Sequence, residues 1–337
     1  TRGCNKFCTY CVVPNTRGAE VHRPPDTIVD ECRALVKSGT VEITLLGQTV
    51  NHYRYTHGIA MNAEGREVPQ IGPGISAFKK PIEENQKVTT FAMLLRKIHD
   101  EVPELQRLRF VTSYPIDFGD DILNTMRDCP RICNYLHVPA QSGSNAILKK
   151  MNRGYTVEEY LKFIERARTI IPDVEIAGDI IIGFCGETEE DYEATRELLR
   201  KARFKNNFVF HYSPRPGTVA IDRFEDDVPR EVKKRRLNEL LALGGEISES
   251  VHKAYEGRVV EVFVERLSPK TSQQKGVELK WEQPSIQLSG RTGGDLICVF
   301  DVESHEKATL LLGTLVQVCI TSSAALLLKG VLQASEC

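Results

Sequence analysis

The sequence has almost no net charge: 44 Lys and Arg stand against 46 Asp and Glu, leaving −2. That balance excludes a global basic field of the kind that draws a protein to nucleic acid, so any RNA contact must rest on local patches. Long hydrophobic runs are also missing. No stretch reaches the roughly 18 apolar residues that a spanning helix needs. The most apolar run near the end, Ala324 to Leu328, is far shorter, so no membrane partner is expected. Composition is unbiased as well, with 41% hydrophobic and 27% charged residues, as in ordinary globular proteins. At 337 residues the chain is long enough for one large domain and one small one.

Cysteine is present and unevenly placed. Of ten, three fall in Cys4-Asn5-Lys6-Phe7-Cys8-Thr9-Tyr10-Cys11, spaced C-x3-C-x2-C. A loop of this length can bend so that three sulfurs face one point. Three thiolates are one short of the four that hold an ordinary iron–sulfur cluster or a closed zinc site, so one iron of a cluster would stay open for another ligand. A zinc site closed by a distant residue such as His22 is the alternative. Cys32, Cys129, Cys133, Cys185, Cys298, Cys319 and Cys337 are scattered. Cys129 and Cys133 repeat the C-x3-C spacing without a third partner, which reads as buried or loop thiols. Free thiols and an oxygen-sensitive loop imply a reducing, cytoplasmic location.

The cysteine spacing, with Tyr10 just before the last thiol, resembles the radical S-adenosylmethionine enzymes. The flanking Thr1-Arg2-Gly3-Cys4, Val12-Val13-Pro14, Thr16-Arg17-Gly18 and Arg23-Pro24 narrow this to the methylthiotransferases. Gln141-Ser142-Gly143-Ser144 and Met151-Asn152-Arg153-Gly154-Tyr155-Thr156 resemble the MiaB-type branch that modifies tRNA. The likeness covers the chain apart from residues 53–88. Family members carry a strand before the cysteine loop and an N-terminal domain with three more cysteines for a second cluster. Because the chain opens at Thr1 inside the motif context, it reads as a fragment lacking both.

The pattern along the chain alternates. Helical spacing over 26–38 follows the start signal Pro24-Pro25-Asp26. A buried strand at 42–47 follows, then residues 53–88, rich in Gly, Pro and Asn, which read as an insertion loop. Helices are expected at 91–101, 121–127, 146–151, 157–171 and 188–202, with Thr188 as an N-cap. Strands are expected at 107–112, 135–139, 174–183 and 207–212. Five strands with helices between them, plus the missing first one, match an α/β partial (β/α)6 radical-SAM barrel. Its domain would span 1–250. A long helix at 228–250 carries Lys233-Lys234-Arg235-Arg236, either an RNA-phosphate patch or a solvated face. From 255 to 333, short β runs at 258–267, 287–291, 297–300 and 315–321 resemble a TRAM domain, a five-stranded OB-like barrel that binds RNA. Arg266, Lys270 and Arg291 are its candidate contacts.

In parallel barrels the reactive groups sit at the strand C-terminal ends. Here those ends carry Gly47-Gln48-Thr49-Val50-Asn51, Ser113-Tyr114-Pro115, the segments around Gln141 and Gly183, and Tyr212 to Thr218. The resemblance implies that Cys4, Cys8 and Cys11 hold a 4Fe-4S cluster whose open iron binds S-adenosylmethionine. Tyr10 would lie near adenine. Gln48 and Asn51 would meet the methionine amino group, where the superfamily has Gly-Gly-Glu. Gln141 and Ser142 would meet ribose hydroxyls. Ile181, Gly183 and Gly186 match the adenine-side Ile-x-Gly-x-x-Gly turn, although Asp179 stands where Gly is expected. Arg215 would take the cofactor carboxylate or an RNA phosphate. The implied reaction is radical methylthiolation at C2 of N6-isopentenyladenosine beside the tRNA anticodon. Its implied partners are the anticodon loop and a reducing donor such as flavodoxin, acting on a monomer. Sister enzymes acting on threonylcarbamoyl-adenosine or a ribosomal protein, and an RNA-binding protein with a structural metal site, remain the alternatives.

Overall fold

The computed structural model describes residues 1–72, 86–268 and 285–333. The chain divides into two compact units, Thr1–Ala202 with Asn207–Leu241, and Arg203–Asn206 with Ala242–Cys337. In chain order the elements are α1 (Val13–Arg17), β1 (Val21–His22), α2 (Pro25–Lys37), β2 (Glu42–Leu45), β3 (Arg54–Thr56), β4 (Gln70–Ile71), β5 (Val88–Thr90) and α3 (Phe91–Glu101). Then come β6 (Arg107–Phe110), α4 (Asp120–Asp128), β7 (Tyr135–His137), α5 (Asn145–Lys150), α6 (Val157–Ile170), β8 (Glu175–Ile182), α7 (Glu189–Ala202) and β9 (Asn206–His211). The remainder is α8 (Val219–Arg223), α9 (Arg230–Lys253), β10 (Val259–Leu267), β11 (Ile286–Thr292), β12 (Ile297–Val302), α10 (His305–Leu311), β13 (Leu315–Ala324) and β14 (Leu327–Leu332). The division between units falls inside α9, at Leu241.

In the first unit, the strands of the main series β2, β6, β7, β8 and β9 follow one another in chain order. β2 pairs with β6 in parallel, and β7 pairs with β8 in parallel, with β9 beside β8. A parallel bridge from Leu108 to Ile132 links β6 toward β7, and Ser113 N donates to the His137 carbonyl at 3.0 Å. Helices between parallel neighbours are what such a series requires. Local chemistry fixes them. Thr156 and Glu159 form a reciprocal capping box on α6, and Thr90 accepts from Met93 N to start α3. At Thr188, the expected N-cap, the hydroxyl accepts from Asp191 N at 3.2 Å. The strands bury Leu108, Phe110, Leu136, Ile176, Ile180 and Ile182, while α3, α4 and α6 supply Leu95, Ile98, Leu123 and Phe163, all nearly inaccessible.

Two expectations need correction. Residues 53–88 are not a featureless loop where they are described: β3 pairs with β5 and β4 with β1, both antiparallel. These strands are too short to show periodicity. They are held by side chains, with Tyr55 fully buried and the Gln70 amide donating to the Thr56 carbonyl at 2.9 Å while accepting from its N–H. The basic run in α9 is neither a broad phosphate patch nor a simple solvated face, because three of its four cations are committed to acids. Lys233 and Arg236 are buried and pair with Asp226 and with Glu187 and Glu189. Arg235 pairs with Glu189 and Glu239.

The second unit holds a closed barrel ordered β10-β11-β12-β14-β13. Val262, Val264, Leu288, Cys298, Phe300, Val318, Ile320 and Leu328 fill it. Gly290 is required by close approach: a Cβ there would stand 2.0 Å from the Phe263 carbonyl oxygen. Arg291 pairs with Glu265 and Asp295, and its side chain stays 44% exposed. Arg266 is exposed, and Lys270 lies outside the described residues. No helix among the described residues is long and apolar enough to cross a membrane.

Candidate active site

At the C-terminal ends of the parallel strands of the first unit lies a cavity of about 450 Å³. Cys4, Cys8 and Cys11 line it together with Tyr10, Gln48, Gln141, Ile181 and Arg215. Eight of the twelve residues expected at the cluster and cofactor therefore meet at one place. The cysteine loop is pinned from outside itself. Thr9 N donates to the Met151 carbonyl at 3.0 Å, Thr9 Oγ1 to the Lys150 carbonyl at 2.9 Å, and Asn152 Nδ2 to the Phe7 carbonyl at 2.7 Å. Burial pushes the Cys4 and Cys11 thiols up from their ordinary range.

The four other residues stand behind the wall. Asn51 is buried and clasps the backbone of Tyr114. Ser142 is buried, and its hydroxyl accepts from Ser144 N at 3.1 Å. Gly183 and Gly186 have positive φ, 65° and 71°, and their N–H groups are taken by Glu187 and Asp227. All four therefore shape the strand-end loops instead of lining the cavity. Two lining residues without glycine's freedom also sit in the left-handed region, Thr112 at φ 68° and Gln141 at φ 71°. Strain of this kind collects at functional sites.

Sequence reasoning missed several residues at the cavity. Arg153 Nη1 approaches Cys8 Sγ at 3.2 Å. Lys6 Nζ pairs with Asp117 at 2.7 Å and sits 3.9 Å above the Tyr114 ring. Behind it, Asp117 bonds to His52, and Glu20 approaches His52 at 3.5 Å and His22 at 3.2 Å. Burial pushes the Glu20 carboxyl up, but the two imidazoles outweigh it and hold the group down at about 2. Burial pushes His52 down, yet its bonds to Asp117 and Glu20 prevail and raise it. His22 is committed to this network and to the backbone of Arg54; it does not line the cavity, which disfavours it as a zinc ligand. On the inner strand face, His137 Nε2 meets Asp179 Oδ1 at 3.0 Å, and the His137 and Phe208 rings meet edge to face at 6.3 Å. Phe208 and Phe210 are both exposed. Most of these contacts join residues far apart in sequence. The signals present were that Lys6 lies inside the cysteine motif, that Asp179 stands where the family has Gly, and that Arg153 lies in the segment 151–156 that resembles the family.

The model of the radical SAM superfamily matches residues 1–199. The chain belongs to the radical SAM superfamily. Membership implies a 4Fe-4S cluster and S-adenosylmethionine. The residues present fit them: three thiols open on one cavity beside tyrosine, amide and guanidinium groups. Among the described residues, no three His, Cys, Asp or Glu gather around a single ion. A cluster binds its thiolates on separate irons, so it does not need such a chelate.

This radical SAM chain is 45% identical to the tRNA-2-methylthio-N(6)-dimethylallyladenosine synthase of Rhodopirellula baltica, over 92% of the chain and 58% of that relative. It is 41% identical to the protein of the same name from Chlorobium limicola, over 98% of the chain and 64% of that relative. The chain thus spans about three fifths of the length of these curated relatives. Among solved structures, it is similar to a radical S-adenosylmethionine methyltransferase from Kitasatospora setae at 17% identity and a TM-score of 0.46, over 65% of this chain and 34% of that one.

Proposed function

We infer that the chain carries the radical and RNA-binding parts of a tRNA-2-methylthio-N6-dimethylallyladenosine synthase. The observation that carries this reading is the convergence of Cys4, Cys8 and Cys11 on one cavity, in a chain so similar to synthases of that name. In this reading the first unit is a partial (β/α)6 barrel and the second a TRAM domain. The substrate is the isopentenylated adenosine beside the anticodon, and a second cluster and an electron donor such as flavodoxin complete the system.

The bound cluster and cofactor supply one-electron reductive cleavage of a sulfonium, which opens an inert aromatic C–H to substitution. The chain's own residues bind and orient. Cys4, Cys8 and Cys11 hold the cluster. Tyr10 and Ile181 pack on the adenine side, Gln48 and Gln141 offer amides to the methionine and ribose, and Arg215 offers a cation. Asn51, Ser142, Gly183 and Gly186 act behind them by fixing loop shape. Phe208 and Phe210 give exposed ring faces on which a splayed base can stack. Asp179, held by His137, is an acceptor for an exocyclic N–H.

The test uses the full-length protein. tRNA nucleosides from a strain lacking the gene are compared with those after complementation. Return of the 2-methylthio-isopentenyl nucleoside supports the reading. Return of a methylthio group on the threonylcarbamoyl nucleoside, or on protein only, overturns it.

A further inference from the structure

Among the described residues, no acid is paired with Arg153. Nη1 points at Cys8 Sγ, 3.2 Å away. Its other contacts are neutral: Nε donates to the Tyr155 hydroxyl at 3.0 Å, Nη1 approaches the Tyr10 hydroxyl at 3.5 Å, and Nη2 donates to the Pro139 carbonyl at 3.4 Å. The rings of Tyr114 and Tyr155 flank it, with centroids 4.6 and 5.1 Å from Cζ. Lys6, a second cation and itself part of the cysteine loop, is different because Asp117 pairs with it at 2.7 Å.

The backbone fixes this arrangement. Asn152 has φ 56°, the left-handed region that Asn tolerates better than most residues. The chain therefore turns sharply after α5. Bonds from Thr9 to the carbonyls of Lys150 and Met151, and from Asn152 to Phe7, fasten the turn to the cysteine loop. Arg153 comes next and is delivered to Cys8.

We propose that Arg153 is the counter-cation of the cluster held by Cys4, Cys8 and Cys11, and that it acts through the Cys8 sulfur to raise the cluster's reduction potential. The proposal rests on the cluster reading above. Reduction adds one negative charge to the cluster, so a fixed cation stabilises the reduced state more than the oxidised one. A hydrogen bond to the ligand sulfur works in the same direction, because it withdraws electron density from the iron–sulfur bond. The flanking tyrosine rings cover part of the guanidinium and so weaken the screening of the pair by water. Arg153 is a positioning residue in this account, since it reaches the cluster only through its ligand.

The experiment is a redox titration of full-length protein with its cluster reconstituted anaerobically, followed by electron paramagnetic resonance without S-adenosylmethionine. Unaltered protein is compared with Arg153→Gln and Arg153→Lys at equal iron content. At a poise near the unaltered midpoint, Arg153→Gln should show about a tenfold smaller ratio of reduced to oxidised cluster, about 59 mV for a one-electron couple. Arg153→Lys, which keeps the charge on a shorter reach, should recover part of the difference. Equal midpoints in all three overturn the proposal, and would leave Arg153 as a loop brace or a cofactor ligand. Should Arg153→Gln fail to keep its iron, Arg153→Met, neutral and of similar reach, decides: a lowered midpoint supports the proposal and an equal one overturns it. Unaltered protein that takes up no iron and sulfide overturns the cluster reading and the proposal with it, a result that iron content alone identifies.

Discussion

Asn51 and Tyr114 clasp each other in both directions. Asn51 Nδ2 donates to the Tyr114 carbonyl at 2.8 Å, and Tyr114 N donates to Asn51 Oδ1 at 2.9 Å. Both residues are buried. The clasp joins the loops after β2 and β6, so the first two strand ends at the cavity move as one piece. Asn51→Ala leaves a buried N–H and a buried carbonyl unpaired, at about 1–3 kcal/mol for each group. The expected result is a clear fall in the urea midpoint. Affinity for S-adenosylmethionine should fall by no more than the loss of folded protein explains. A stable Asn51→Ala variant that has lost cofactor binding would return Asn51 to the cavity wall.

Most of the fold was legible because the first unit repeats a local pattern. The apolar period of α2, α3, α6 and α7 and the short apolar runs of β2, β6 and β8 are written in neighbouring residues. The cysteine loop is local too. Gln48, Gln141 and Ile181 could be placed because strand ends point to the cavity. What was missed has physical reasons. β13 and β14 join through Ala325 and Leu326, with Leu326 at φ 67°. That position normally calls for Gly or Asn, so the hairpin carries no turn signal. Arg153, Asp117 and Phe208 gain their meaning only from contacts made across long separations in the chain.

The buried network of Glu20, His52 and Asp117 makes stability depend on pH. Glu20 is held at about 2 in the fold, below its unfolded value, so its contribution is present above about pH 4.5 and is lost as pH falls toward 2. Its size is on the order of 3 kcal/mol at neutral pH. His52 is raised above its unfolded value, so its contribution is full below about pH 6.5 and disappears as pH rises through the folded value. Urea midpoints of unaltered protein and His52→Asn should differ most near pH 5.5, and the gap should narrow as pH rises through the raised folded-state value of His52. A gap that is constant across this range contradicts the charged network.

Phe210 and Asp179 are read as contacts to the base. Stacking on an aromatic ring contributes about 1–3 kcal/mol per base, so Phe210→Ala should raise KM for an anticodon stem-loop roughly tenfold. Asp179→Asn should act in the same direction. Reductive cleavage of S-adenosylmethionine without RNA should stay near the unaltered rate in Phe210→Ala. Equal losses in both assays would move Phe210 to the cofactor side.

Gly143 packs on α7 with no room for a side chain. A Cβ there would stand 2.3 Å from the Ala194 carbonyl oxygen and 2.4 Å from Thr195 Cα. Both are backbone atoms of a helix, so relief requires the helix to shift. Gly143→Ala should cost about 1–3 kcal/mol, as overpacking typically does, read as a lower urea midpoint. An unchanged midpoint would mean that the loop after β7 yields more easily than its contacts imply.

The account stands on three thiols that share one cavity, one short of the four that would close a cluster. The direct measurement is electron paramagnetic resonance of anaerobically reconstituted, reduced full-length protein, before and after S-adenosylmethionine is added, with 5′-deoxyadenosine counted in the same samples. The account predicts a 4Fe-4S signal that changes when the sulfonium compound is added, release of 5′-deoxyadenosine, and loss of both in Cys8→Ala. A cluster signal unmoved by the addition, with no 5′-deoxyadenosine formed, would contradict it.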